Sequence, residues 1–73
     1  MTDFPPNLSR GMTGPFVKRL QKDLSDKGYD IGSNGIDGNF DENTENAVKA
    51  FQKDQNLTVD GVVGDETGKK LDA

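Results

Sequence analysis

Val17-Lys18-Arg19-Leu20-Gln21-Lys22-Asp23 recurs 31 residues later as Val48-Lys49-Ala50-Phe51-Gln52-Lys53-Asp54. Five of the seven positions are identical, and a sixth exchanges leucine for phenylalanine. A second echo is offset by 23 residues: Asp37-Gly38-Asn39-Phe40-Asp41-Glu42-Asn43-Thr44 returns as Asp60-Gly61-Val62-Val63-Gly64-Asp65-Glu66-Thr67. Both copies keep Asp-Gly, an apolar residue two places after the glycine, and a threonine seven after the aspartate. Repetition at such intervals describes a unit used more than once. Here the unit is a tight turn followed by a helix that is reached through a short polar loop.

Three helices are expected. The first spans about 14–27. Thr13 stands where a cap belongs, and Pro15 falls in the first turn, where its missing N–H does no harm. Val17, Leu20 and Leu24 form one apolar stripe, and Gly28 follows where a left-handed residue ends a helix. The second spans about 42–55. Asp41 caps it, Glu42 and Glu45 suit the positive end of its dipole, and Asn56 ends it. Thr44, Ala47, Val48 and Phe51 form its stripe. The third is short, about 65–72, with Thr67 and Leu71 facing inward. Between the first two helices, residues 29–40 are rich in Gly, Asn and Asp and read as loop, pinned by Ile31, Ile36 and Phe40. The fold class is therefore all-α: a compact three-helix bundle with a long Gly/Asn/Asp-rich loop and an approximate internal repeat. Residues 1–7, with the Pro5-Pro6 pair, read as a flexible tail, and 8–73 as the domain.

Composition narrows the function. The chain has 73 residues, no Cys, no His and no Trp. That removes disulfide frameworks, zinc-finger and zinc-hydrolase sites and triads that need His. Asp and Glu number 13 against 9 Lys and Arg, a net charge of −4. Duplex-DNA binders show the opposite balance, so no nucleic-acid partner is expected. No apolar run approaches a membrane span, and residues 1–6 lack the basic start and apolar stretch of a signal peptide. Only 30% of residues are hydrophobic, so nearly every large apolar side chain is expected inside one core.

The ordered series Gly11-x-x-Gly14-x-x-Val17-x-x-Leu20-Gln21-x-x-Leu24, Gly28-Tyr29, Asp37-Gly38-x-Phe40, Thr44-x-x-Ala47-Val48-x-x-Phe51-Gln52, Leu57, Asp60-Gly61-x-Val63-Gly64-x-x-Thr67 resembles the peptidoglycan-binding domain family. Members are small three-helix modules attached to bacterial and phage wall hydrolases. The resemblance covers residues 8–71 and departs visibly at Asp41, where the family usually has glycine. It implies a non-catalytic module that binds cell-wall peptidoglycan and anchors a linked hydrolase. It also implies a location in the wall or outside the cell, within an exported or phage-released protein. The competing reading is a protein-interaction module of the same fold. No cofactor and no membrane partner are expected, and the chain is expected to be a monomer.

A glycan–peptide polymer calls for exposed amides, carboxylates and hydroxyls, and for an apolar or aromatic face. Tyr29, the sole tyrosine, offers such a face and a hydroxyl, or serves as a half-buried lid after the first helix. Asn39, Asp41 and Asn43 surround the start of the second helix, where free N–H groups can receive a carboxylate. Gln21 and Gln52 occupy equivalent places in the repeat and reach either loop backbone or ligand. The candidate ligand-binding residues are thus Tyr29, Asn39, Asp41, Asn43 and Gln52. Two sharper chemistries fit poorly. Asp30 to Asp41 fits the calcium-loop frame only at Asp30, Asn34 and Gly35, so no metal site is expected. Glu42 and Glu45 share one convex helix face, which makes no cleft for a sugar between two carboxyls.

Overall fold

The computed structural model describes residues 7–72, the side chain of Asp72 excepted. The expected tail lies outside the described residues apart from Asn7. Three helices follow one another: α1 (Pro15–Asp26), α2 (Glu42–Asp54) and α3 (Asp65–Asp72). No strand occurs among the described residues, only two isolated antiparallel bridges, Leu8 with Val63 and Thr13 with Asn39.

The helix ends follow from local chemistry. Both long helices stop in the same way. Gly28, at φ 92°, lets the Tyr29 N–H turn back to the Leu24 carbonyl at 2.9 Å. Asn56, at φ 59°, lets the Leu57 N–H reach the Gln52 carbonyl at 2.8 Å. These are paired Schellman stops, and they satisfy carbonyls that the helix would otherwise leave open. Asp41 caps α2 as expected, accepting the Thr44 N–H at 3.0 Å. The first helix corrects the expectation for Thr13. Its N-cap is Gly14, without a side-chain cap bond. The main chain of residues 11–14 is already committed elsewhere. Gly11 donates to Phe40, Phe40 to Met12, and Gly14 to Gly38, all at 2.9–3.0 Å. Thr13 is therefore held extended beside Asn39.

That N-terminal segment binds both Asp-Gly turns to the bundle. Its other end exchanges two hydrogen bonds between Leu8 and Val63, at 3.1 and 2.8 Å. The core then draws on helices and loops together. Val17, Leu20, Leu24, Ala47, Val48, Phe51 and Leu71 come from helices, and Leu8, Ile31, Phe40 and Val63 from connections. Each large side chain so buried contributes roughly 1.5–3 kcal/mol relative to exposure. Burial of nearly all apolar residues does not hold. Met12, Phe16, Ile36 and Val59 remain 39–50% exposed. Ile36, expected to pin the loop, sits beside a tight turn closed by Gly35 and Asp37, whose N–H groups bond back to Gly32 and Gly35. Leu57 is only half-buried, because the stop of α2 carries it to the bundle's edge.

Candidate functional site

Two buried glutamines organise the polar half of the molecule. The two N–H groups of the Gln21 side-chain amide are shared among Asp37 Oδ1, the Asn39 carbonyl and Thr44 Oγ1, at 3.1, 2.9 and 3.0 Å from Nε2, and its oxygen accepts the Gly38 N–H at 2.9 Å. Gln52 repeats the wiring with Asp60 Oδ1, the Val62 carbonyl and Thr67 Oγ1 at 2.9, 2.9 and 3.1 Å. Its oxygen accepts the N–H groups of Asp60 and Gly61 at 3.1 and 3.0 Å. Each aspartate also accepts a main-chain N–H two residues on, from Asn39 or Val62, both at 2.9 Å. The repeated Gln, Asp-Gly and Thr are thus one hydrogen-bonded node made twice. Gln52 is 1% exposed, and both ends of its amide are occupied. It holds the Asp60–Val62 turn and does not offer its amide to solvent.

Those bonds favour ionised aspartates. The Asn39 N–H first, then Gln21, hold the Asp37 carboxyl below the usual range. The Val62 N–H does so for Asp60, helped by Gln52. A carboxyl whose folded value is depressed contributes its stability fully above the unfolded value, about 3.9, and loses it as pH falls through the folded one. Urea midpoints measured from pH 6 to 2 are therefore expected to drop below about pH 4, and less steeply in the Asp37→Asn, Asp60→Asn double variant.

The exposed polar groups gather elsewhere, in a groove of about 300 Å³ between α2 and the loop after α1. Tyr29, Asp30 and Gly32 form one wall, and Asn43, Asn46, Ala47 and Ala50 the other. Helix periodicity explains the second wall, since positions 43, 46, 47 and 50 share one strip of α2. Tyr29 follows the Schellman stop of α1. Its ring meets Phe51 edge-to-face at 5.6 Å, and its hydroxyl donates to Asp54 at 2.6 Å. That bond, with burial second, pushes the phenol's pKa above its usual value. Gly32 closes the far end. A Cβ there would lie 2.5 Å from Asn43 Nδ2, and its φ is +93°, so only glycine lets the loop lie so near the helix.

Of the five candidate residues, the groove brings Tyr29 and Asn43 together. Asn39 lies at the Thr13 bridge, Asp41 caps α2, and Gln52 lines a second hollow of about 290 Å³ beside the first turn of α3. Asn46 and Ala50 are not among the sequence candidates, although their spacing from Asn43 is a usable signal, and Asp30 is weighed there only as a calcium-loop position. The carboxylates between Asp30 and Asp41 do separate work: Asp30 accepts the Gly32 N–H, Asp37 serves the Gln21 node and Asp41 caps. Among the described residues no group of three or more acidic side chains could hold a metal. Glu42 and Glu45 lie 3.8 and 3.7 Å from Arg10. No described helix is long and apolar enough to cross a membrane.

The family model for a peptidoglycan binding domain matches residues 13–71. The chain is 42% identical over 66 residues to the N-acetylmuramoyl-L-alanine amidase CwlL of Bacillus licheniformis, covering 90% of this chain and 18% of the amidase. It thus spans about a fifth of that relative's length. The SleB N-terminal domain superposes with a TM-score of 0.85 at 35% identity, covering 93% of this chain and 92% of that one. A Burkholderia AP3 phage endolysin gives 0.84 at 34%, covering 92% and 25%.

Proposed function

The chain belongs to the peptidoglycan binding domain family, and on that premise we propose that it is a non-catalytic module that holds a linked wall hydrolase on bacterial peptidoglycan. The observation that carries the reading beyond family membership is the groove between α2 and the loop after α1. It combines the Tyr29 ring with the Asn43 and Asn46 side-chain amides, which make no hydrogen bond among the described residues. Tyr29 and Asn43 are contact residues in this reading, joined by Asp30 and Asn46. Asn39, Asp41 and Gln52 act one step back, as the frame that sets the α2 start and the two turns. Glu42 and Glu45 are turned to Arg10, so they are no acid–base pair across a cleft. The place of action is the wall or the cell exterior, reached as part of a longer protein.

The test is co-sedimentation of the purified chain with sacculi, with the supernatant assayed for released reducing ends and free amines. Sedimentation without release is the expected result. A chain that stays in the supernatant contradicts the reading and favours a protein partner for the same fold. Release of wall fragments contradicts the non-catalytic assignment.

A further inference from the structure

Resting on the wall-binding reading, we infer that the α2 groove takes the stem peptide of peptidoglycan, including a free ammonium group, and not the glycan strand. Three features of the groove support this. The first is a pair of side-chain amides, Asn43 and Asn46, three apart on α2. Neither has a hydrogen-bond partner among the described residues. The contrast with Gln21 and Gln52, whose amides are fully engaged inside, marks them as available. The second is the opposite wall. Asp30 lines that wall, and its main-chain N–H and C=O groups make no hydrogen bond among the described residues. Each main-chain N–H and C=O is a strong donor or acceptor, and those of Asp30 are not used within the fold. Two side-chain amides facing the unbonded main chain of Asp30 supply the donors and acceptors that a peptide group needs.

The third feature is charge. Asp30 lies in the wall with one oxygen on the Gly32 N–H, and Asp54 stands behind the Tyr29 hydroxyl. No basic side chain lines the groove. Lys53, seven residues beyond Asn46, lies on the outer margin of that strip of α2. The ligand's positive group therefore belongs at the Tyr29 end. A stem peptide offers such a group at its uncrosslinked diamino acid, its carboxylates being left to solvent outside the groove, whereas an N-acetylated glycan strand carries no cation. Size agrees. From Asn43 to Ala50 the helix rises roughly 10 Å, the span of about three extended residues.

The test titrates the full chain with three soluble probes and follows emission from Tyr29, the only tyrosine in a chain without tryptophan. The probes are a free stem tetrapeptide with an unblocked diamino-acid ammonium, the same peptide acetylated on that amine, and the peptide-free N-acetylglucosamine–N-acetylmuramic acid disaccharide. A saturable change is expected with the first, binding at least tenfold weaker with the second, and none with the third. Ala50→Leu narrows the groove at an exposed position, and Asn46→Ala removes a free amide. Each is expected to weaken the first probe at least tenfold while leaving the circular dichroism melt unchanged. Equal affinity for the disaccharide, indifference to acetylation, or wild-type binding by both variants would each overturn the inference. Sacculi sedimentation run in parallel keeps the two ideas apart. A chain that sediments but ignores the tetrapeptide retains wall binding and loses the stem-peptide assignment. A chain that does neither loses both.

Discussion

Replacing Gln52 by leucine is expected to destabilise the fold by about 3 kcal/mol or more, although the side-chain volume barely changes. The apolar replacement keeps the site filled. It strips the acceptor from the N–H groups of Asp60 and Gly61 and the donor from Asp60 Oδ1, the Val62 carbonyl and Thr67 Oγ1. Each buried polar group left unpaired costs about 1–3 kcal/mol, and Gly61 and Thr67 are both buried. A domain of this size holds roughly 4–11 kcal/mol in all. The melting temperature is expected to fall by about 12 °C or more. Gln21→Leu is expected to behave alike, because the wiring to Asp37, Gly38, Asn39 and Thr44 is equivalent. Urea unfolding of both variants checks this. A loss under about 1 kcal/mol in either would mean that water or a shifted turn replaces the bonds at little cost.

Phe51→Ala is the second large effect, expected at about 3–5 kcal/mol. Phe51 is 2% exposed at the centre of the core. It also supports the groove from beneath, because its ring contacts Tyr29. Removing it takes away both a core anchor and the surface that orients the phenol toward Asp54. The milder Phe51→Leu separates these roles. It is expected to stay folded while Tyr29 emission shifts and sedimentation with sacculi weakens. A leucine variant with native Tyr29 emission and native binding would mean that the Asp54 hydrogen bond alone sets the ring.

What could be read in advance was local. The apolar stripes of α1 and α2, the Asp41 cap and the stops at Gly28 and Asn56 depend on residues within one or two turns. Those expectations match the elements found. Misplacement began where partners are distant in the chain. Thr13 has good cap chemistry, yet main-chain pairing of residues 11–14 with 38–40 overrides it. Ile36 is apolar, yet the tight turn around Gly35 holds it outward. The site shows the same divide. The repeat put Gln21 and Gln52 in equivalent places, and a shared structural duty explains that better than ligand contact at one of them. The groove arises only when the loop after α1 folds back on α2, with Gly32 against Asn43. No spacing within the loop announces that approach. The strip through Asn43, Asn46 and Ala50 was visible as a helix pattern, but without the loop it looked like ordinary solvent-facing surface.

We propose that the α2 groove is the surface that meets the wall polymer. Titrating the isotope-labelled chain with soluble muropeptides, and mapping amide shifts by NMR, tests it most directly. Saturable shifts are expected to cluster on Tyr29, Asp30, Gly32, Asn43, Asn46 and Ala50, with the Gln52 node and α3 unmoved. Shifts confined to the hollow beside α3, or no shifts at millimolar muropeptide from a folded spectrum, would contradict it.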